Sequence, residues 1–172
     1  MSISALKSSR SFFGSSTETD SVSPAPGDGN RLRIYDPTVR TVSISSAGVF
    51  APVTTSNFLD DGGFASAGFS FVASSGRITW TGIGSRLTFI SYVCTCESAL
   101  GTSLFQAAML GSGSATPIND TRNLMFSAVG SSQSIKLRWI IELNSGDQLQ
   151  PVFSNIFNAN NVNVSAQSFT VE

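Results

Sequence analysis

The alternation of apolar and polar residues along positions 133–155 constrains the fold of this chain more than any other feature. Alternate side chains of an extended strand share one face, so a period of two is typical of a half-buried β-strand. The opposite face of the first half carries Lys136 and Arg138. Its apolar face is formed by Ile135, Leu137, Trp139 and Ile141.

A turn interrupts the same stretch at residues 144–147, where glycine can adopt positive φ and aspartate can hydrogen-bond to nearby backbone. We predict that Gly146 and Asp147 form a structural turn and that the two arms pair as a β-hairpin. The second arm contains Pro151, which has no N–H to donate to a β-ladder. This arm is therefore predicted at the edge of a sheet or at a β-bulge.

The whole region 31–172 consists of short strand-like runs separated by turn residues, without sustained helical periodicity apart from a turn around residues 99–108. Residues 69–83 are typical of an aromatic hairpin. Residues 87–96 are apolar on both faces, which predicts a central strand or one that faces a subunit contact. We predict one all-β domain at residues 31–172, a jelly roll in the form of a Greek-key sandwich of about eight to ten antiparallel strands.

Residues 1–30 are rich in serine, proline and glycine and end in S-P-A-P-G-D-G-N. Such a composition cannot bury enough apolar surface to fold alone, so it predicts an extended N-terminal arm. Leu6, Phe12 and Phe13 are predicted to anchor this arm on a neighbouring subunit. The alternative is a flexible linker with no anchoring role.

Charged residues form only 12% of the chain, and the net charge is −1. The surface is therefore largely neutral, which suits permanent assembly and offers no general attraction to nucleic acid or anionic lipid. Acidic residues are interleaved with the basic ones near the N-terminus, whereas a genome-binding arm carries a dense basic block. We therefore predict no nucleic-acid contact. The residues concerned are Lys7, Arg10, Arg31, Arg33 and Arg40, with Glu18, Asp20, Asp28 and Asp36.

The absence of histidine removes the commonest general base and the commonest transition-metal ligand. We predict a chain without enzymatic activity, metal or cofactor, although a Ser–Lys dyad stays open. Cys94 and Cys96 would share one face of a strand, roughly 6.5–7 Å apart at Cα and at or beyond the limit for an unstrained disulfide. We predict two reduced core cysteines rather than a redox or zinc pair, which favours a reducing compartment.

Three further motifs have both a functional and a structural interpretation. Asp147 with Asp60 and Asp61 would suit calcium, but Asp147 is predicted to cap its own turn. Asn119 and Asn163 begin glycosylation-type triplets, which chance explains better without a secretory signal. An aromatic set would suit stacking on sugars or bases, but its alternation with polar residues predicts a core or subunit interface. This set consists of Trp80, Phe89, Tyr92, Trp139 and Phe153.

The order of these elements resembles the tumour-necrosis-factor-like (TNF-like) superfamily, which includes complement-type globular heads and trimeric jelly-roll heads of viral spikes and capsids. The resemblance covers about residues 64–172, from the aromatic hairpin to the final strand ending in S-F-T-V-E. Its most specific element is L-N-S-G-D-Q-L at residues 143–149. The resemblance implies a homotrimer whose aromatic-rich strands pack around a threefold axis.

The chain shows no signal-peptide core, no collagen-like G-X-Y stalk and no apolar run long enough to span a bilayer. The missing signal-peptide core and the missing stalk favour the viral structural branch of the superfamily. We predict a capsid subunit (coat, penton, cap or cement, or spike head) made in the host cytoplasm and located in the virion. It would contact other capsid proteins and not insert into membranes. The alternative is a trimeric head that binds a receptor or glycan through loops at residues 59–67 and 111–121. A cupin-like enzyme is disfavoured because metal-ligating histidines are lacking.

Overall fold

The computed structural model describes residues 31–60, 68–112, 114, 116–118 and 121–172. The predicted N-terminal arm, with Leu6, Phe12 and Phe13, lies outside these residues. The described part of the chain forms β-strands and no α-helix. The strands are β1 (Leu32–Asp36), β2 (Arg40–Val42), β3 (Ala51–Pro52), β4 (Leu59–Asp60), β5 (Phe69–Val72), β6 (Arg77–Trp80), β7 (Arg86–Ser98), β8 (Thr102–Gly111), β9 (Asn123–Ala128), β10 (Gln133–Leu143), β11 (Gln148–Asn155) and β12 (Val162–Val171).

Two six-stranded antiparallel sheets form a sandwich. The first sheet has the order β10-β7-β12-β1-β4, with β2 also paired to β12, and the second has the order β5-β6-β11-β8-β9, with β3 also paired to β11. Alternate apolar side chains of both sheets face the core between them. The predicted all-β jelly-roll class is confirmed. The described strands outnumber the predicted eight to ten because β3 and β4 are two-residue strands that alternation cannot reveal.

The predicted hairpin over residues 133–155 is wrong. β10 pairs with β7 in the first sheet, whereas β11 pairs with β8 in the second sheet. The turn at Gly146, where φ is +90°, therefore carries the chain from one sheet to the other. Alternation identifies the buried face of a strand but not its hydrogen-bonded neighbour. Two strands that face each other across a core therefore have the same pattern as two strands that pair side by side.

The prediction that Pro151 lies at a sheet edge or at a β-bulge is also wrong, since β11 pairs with β8 without a register shift from Leu149 to Asn155. β11 has β8 on one side and the short strands β6 and β3 on the other. β6 pairs at Gln148 and Leu149, and β3 pairs at Val152 and Phe153, so Pro151 lies between the two. A missing N–H is tolerated in this interior strand because no described strand pairs with that position on this side.

The aromatic hairpin is confirmed, because β5 and β6 pair with Phe69 opposite Trp80. The rings of these two residues pack with their centroids 4.8 Å apart. β7 lies between β10 and β12, as predicted for a central strand. Residues 99–108 form a tight connection and the start of β8 rather than a helical turn.

Tyr92 lies in the core between the sheets and is fully buried. Its ring makes edge contacts with Phe153 and Phe169, at centroid distances of 6.3 and 5.8 Å. Its hydroxyl donates to Gln167 Oε1 at 2.9 Å, and Gln167 Nε2 donates to Ser56 Oγ at 3.2 Å. Burial raises the pKa of Tyr92, so the hydroxyl remains a hydrogen-bond donor. This chain of bonds satisfies polar groups that water cannot reach.

Candidate assembly surface

The outer face of the first sheet carries large apolar side chains exposed to solvent. Phe89 on β7 lies directly opposite Ile140 on β10, and these side chains are 37% and 58% exposed. Leu87, two residues before Phe89 on the same face, is 71% exposed. We call Leu87, Phe89 and Ile140 the strand patch. Single exposed apolar residues are ordinary, but a cross-strand group of them indicates an interaction surface.

A shallow depression of about 420 Å³ lies on the strand patch, lined by Phe89, Arg138, Trp139 and Ile140. Its walls are mainly apolar, and Arg138 is the one charged residue among those that line it. No group of three or more His, Cys, Asp or Glu residues that could hold a metal occurs anywhere in the described residues. The depression therefore suits an apolar side chain of another molecule better than a polar substrate.

A second apolar surface lies on β9, which is an edge strand because it pairs with β8 alone among the described strands. Met125 and Ser127 face the core, whereas Leu124 and Phe126 point outward and are 56% and 63% exposed. We call Leu124 and Phe126 the edge patch. An exposed apolar edge strand favours association with another chain.

The two patches lie near the same side of the sandwich but on different sheets. β9 and β10 are both edge strands and follow each other through residues 129–132. Asn123 Nδ2 donates to the backbone carbonyl of Lys136 at 3.2 Å and links the two edges. The strand patch and the edge patch are therefore two different surfaces, which face outward from opposite sheets along the same edge of the sandwich.

The aromatic residues predicted for a core or subunit interface occupy two kinds of position. Tyr92 and Phe153 are fully buried, and Trp139 is half-buried against the core. Phe89 faces outward in the strand patch. The sequence analysis missed Ile140 and Phe126. The available signal was an apolar residue at a position that the period of two assigns to the polar face.

The structural turn is held by hydrogen bonds to its own residues and to β6. The Asp147 carboxylate accepts a hydrogen bond from the Asn144 N–H at 2.8 Å. The Gly146 N–H donates to the Trp80 carbonyl at 2.8 Å, and the Trp80 N–H donates to the Asp147 carbonyl at 2.9 Å. Asp61, which belongs to the calcium alternative, lies outside the described residues.

Cys94 and Cys96 are both buried and form no disulfide, with their sulfur atoms 3.4 Å apart in a hydrogen bond. The hydrogen bond with Cys94 and burial raise the pKa of Cys96, so its thiol stays protonated. Of the two glycosylation-type asparagines, Asn119 lies outside the described residues. The Asn163 side chain on β12 accepts a hydrogen bond from the Thr41 hydroxyl at 2.8 Å.

Asp36, at the end of β1, is a buried carboxylate with several hydrogen-bond donors. Burial alone would raise its pKa, but hydrogen bonds from the side chain of Thr38, the N–H of Asn57 and the side chain of Arg40 lower it below the usual value. Its charge is thus compensated by contacts that fix the β1–β2 turn. Asp36 therefore has a structural role, and its carboxylate is engaged by these donors rather than available as a general base.

No protein-family model matches this chain, and no curated protein matches it in sequence. In fold it is similar to an Eiger TNF from S. frugiperda, with a TM-score of 0.54 at 8% identity over 82% of this chain and 89% of that chain. It is also similar to murine APRIL in a crystal structure at pH 5.0, with a TM-score of 0.52 at 10% identity over 82% of this chain and 95% of that chain. The globular domain of a zebrafish complement 1qA protein superposes with a TM-score of 0.48 at 14% identity, over 83% of this chain and 94% of that chain.

The Eiger and APRIL comparisons show that this chain has the fold of a TNF-like jelly roll. At these identities the likeness concerns the fold alone. The fold that the predicted resemblance implies is confirmed, and the viral branch stays a prediction. In the part of the chain that the structure describes, no helix is long and apolar enough to cross a membrane.

Proposed function

We propose that this chain is a non-enzymatic structural subunit that forms a homotrimer, with the strand patch of one copy packed against the edge patch of the next. The observation that carries this proposal is the exposed pair of Phe89 and Ile140, which face outward from β7 and the edge strand β10 of the first sheet. Fully burying a side chain of this kind is worth about 1.5–3 kcal/mol. A second copy supplies the apolar cover that a single copy lacks.

The presence of two different patches favours a closed ring over a twofold dimer. A twofold contact needs the same self-complementary surface on both partners, whereas unlike surfaces on one subunit generate head-to-tail contacts that close into a ring. The resemblance to the TNF-like superfamily implies a ring of three. The low charge of the chain supports permanent rather than transient contact.

The finer part of the proposal is that the trimer belongs to a virus particle and that the arm, through Leu6, Phe12 and Phe13, binds neighbouring capsid proteins. Arg31, where the arm joins the domain, forms an ion pair with Glu172 at 3.2 Å. The Glu172 backbone in turn pairs with that of Phe89. Two strand spacings of about 4.8 Å therefore separate the root of the arm from the strand patch. An arm that starts beside a subunit contact is well placed to cross onto a neighbour.

A trimeric head that binds a receptor or glycan is the second candidate. It shares the same trimer, and the likeness in fold to Eiger TNF and APRIL is compatible with it. Light scattering on the purified full chain separates the two. Growth beyond the trimer with concentration, or attachment to purified particles, supports the capsid role. A trimer that stays discrete and binds host cells supports the receptor role.

The trimer is tested by a double substitution in the strand patch, Phe89→Ser with Ile140→Ser. We expect a monomer by light scattering with an unchanged β-sheet circular dichroism spectrum. Val72→Ser on β5 is the matched control, because Val72 is 38% exposed and lies outside both patches, and it should remain trimeric. A wild-type chain that is monomeric at high concentration would contradict the proposal.

The arm is tested separately by deleting residues 2–28. The domain should keep its unfolding transition while attachment to other capsid proteins is lost. If attachment persisted at wild-type strength, the arm would have no role in assembly.

A further inference from the structure

Four loops at one end of the sandwich contain no charged residue. They connect β2 to β3, β7 to β8, β9 to β10 and β11 to β12, at residues 43–50, 99–101, 129–132 and 156–161. Each loop exposes an apolar side chain to solvent. These side chains are Val49 (45% exposed), Leu100 (67%), Val129 (57%) and Phe157 (67%), and together we call them the loop tip.

The loop tip is held together by hydrogen bonds between neighbouring loops. Within one loop, the Asn155 side-chain oxygen accepts a hydrogen bond from the N–H of Phe157 at 3.1 Å, which fixes the backbone that carries this exposed ring. The tip is therefore a preformed surface, which lowers the ordering cost of binding. The bonds between loops join Val129 N–H to the Gly101 carbonyl (3.2 Å), Asn160 Nδ2 to the Leu100 carbonyl (2.5 Å) and Gly48 N–H to the Asn155 carbonyl (2.7 Å).

The two ends of the sandwich differ in charge. The end opposite the loop tip carries Asp147 and the ion pair of Arg31 with Glu172, whereas Arg122 lies beside the tip, with its guanidinium 5.6 Å from the ring centroid of Phe50. Beside the loop tip, the Glu97 carboxylate accepts hydrogen bonds from the Gly130 N–H at 2.6 Å and the Ser132 hydroxyl at 3.3 Å. Its charge is thus engaged by the loop itself. A partner of the loop tip needs no complementary charge.

The exposed area decides what kind of partner fits. Four side chains that are about half to two-thirds exposed present on the order of 400 Å² of apolar surface, about half of the roughly 800 Å² per partner in a stable protein interface. The side chains also project from separate loops with polar Asn and Ser residues between them. Apolar side chains that are separated by polar groups match the surface of a lipid bilayer, where an apolar layer lies beneath hydrogen-bonding headgroups.

We propose that the loop tip docks on the surface of a zwitterionic lipid bilayer, with its four apolar side chains in the interfacial layer and its Asn and Ser groups among the headgroups. Such contact is superficial and requires no spanning segment. The root of the arm lies level with Phe89, about 30 Å from the tip at 3.3 Å per residue along β7 from Phe89 to Ser98. Arm and loop tip can therefore be engaged at the same time.

The experiment measures binding of the full chain to phosphatidylcholine vesicles by flotation. We expect the double substitution Leu100→Ser with Phe157→Ser to lower the partition coefficient at least tenfold. Ile83→Ser is the matched control, because Ile83 is fully exposed in the β6–β7 loop at the opposite end, and it should change binding less than twofold. Because the four loops contain no charged residue and the flanking Glu97 and Arg122 have opposite charges, raising the salt concentration should also change binding less than twofold.

Three results would overturn the proposal. They are no binding of the wild-type chain to neutral vesicles, an equal loss in the Ile83 control, and binding that needs anionic lipid or disappears in salt. A changed oligomeric state of the tip variant in light scattering would also overturn it, since the tip would then be a contact between copies. The trimer is tested at Phe89 and Ile140, so failure of either proposal can be told from failure of the other.

Discussion

The two faces of β7 have similar apolar composition but different surroundings. Ile90, Tyr92 and Cys94 point inward and are almost completely buried by the second sheet. Leu87 and Phe89 point outward and remain substantially exposed. The inner face is buried within one chain, whereas the outer face would be buried only in the proposed trimer. The fold therefore accounts for the inward apolar residues of this strand, and the proposed assembly accounts for the outward ones.

The largest expected effect tests this contrast at two consecutive residues. Ile90→Ala leaves a cavity between the sheets, so the free energy of unfolding should fall by about 3–4 kcal/mol. Phe89→Ala should instead weaken the dependence of the unfolding midpoint on protein concentration, because Phe89 contacts a second copy in the proposed trimer. Chemical denaturation at several protein concentrations measures both quantities. If the two variants behaved alike, the distinction between the faces would be lost.

The prediction of intermediate size compares two glycines of the β6–β7 loop, Gly82 beside a buried ring and Gly84 in open space. A Cβ at Gly82 would lie 2.1 Å from the indole of Trp80, which is buried beside Phe69 and the Arg86 guanidinium. Gly82→Ala should therefore cost about 2–3 kcal/mol, since a packed ring must move. A Cβ at Gly84 meets nothing within 4 Å, but φ there is +74°, so Gly84→Ala should cost about 1 kcal/mol.

Thermal or urea unfolding of the two glycine variants ranks these costs, and Trp80 fluorescence reports the indole directly. We expect the emission to shift in Gly82→Ala and to stay unchanged in Gly84→Ala. The reverse order of stability would show that backbone conformation outweighs packing around Trp80.

The sequence predicted the class of fold because alternation is a local property. The buried face of β10 and the aromatic hairpin follow directly from a period of two, whereas β7 is apolar on both faces. The partner of β10 could not be predicted, since pairing with β7 and packing opposite β11 give the same alternation. The strand patch was only partly predicted. Phe89 was expected in a core or interface, but Ile140 lies next to Trp139 in a continuous apolar run that hides the outward face.

The smallest expected effect concerns the backbone conformation of Ala166, an exposed residue of the first sheet. It lies at the β-bulge of β12, between Ser165 and Ser168, with φ of +47°. A left-handed conformation costs an L-residue about 1–2 kcal/mol, and glycine avoids most of this cost. Glycine also increases the entropy of the unfolded chain, which offsets about 0.4–1 kcal/mol of the gain.

We therefore expect Ala166→Gly to raise the free energy of unfolding by about 0.5–1 kcal/mol. Ala159→Gly is the matched control, because Ala159 is also exposed but has no positive φ, and it should lower stability. Denaturant unfolding of both variants measures the difference. A loss of stability in Ala166→Gly would mean that the alanine methyl group makes a contact in the assembled protein, and the outer face of β12 would then join the strand patch in needing a second molecule.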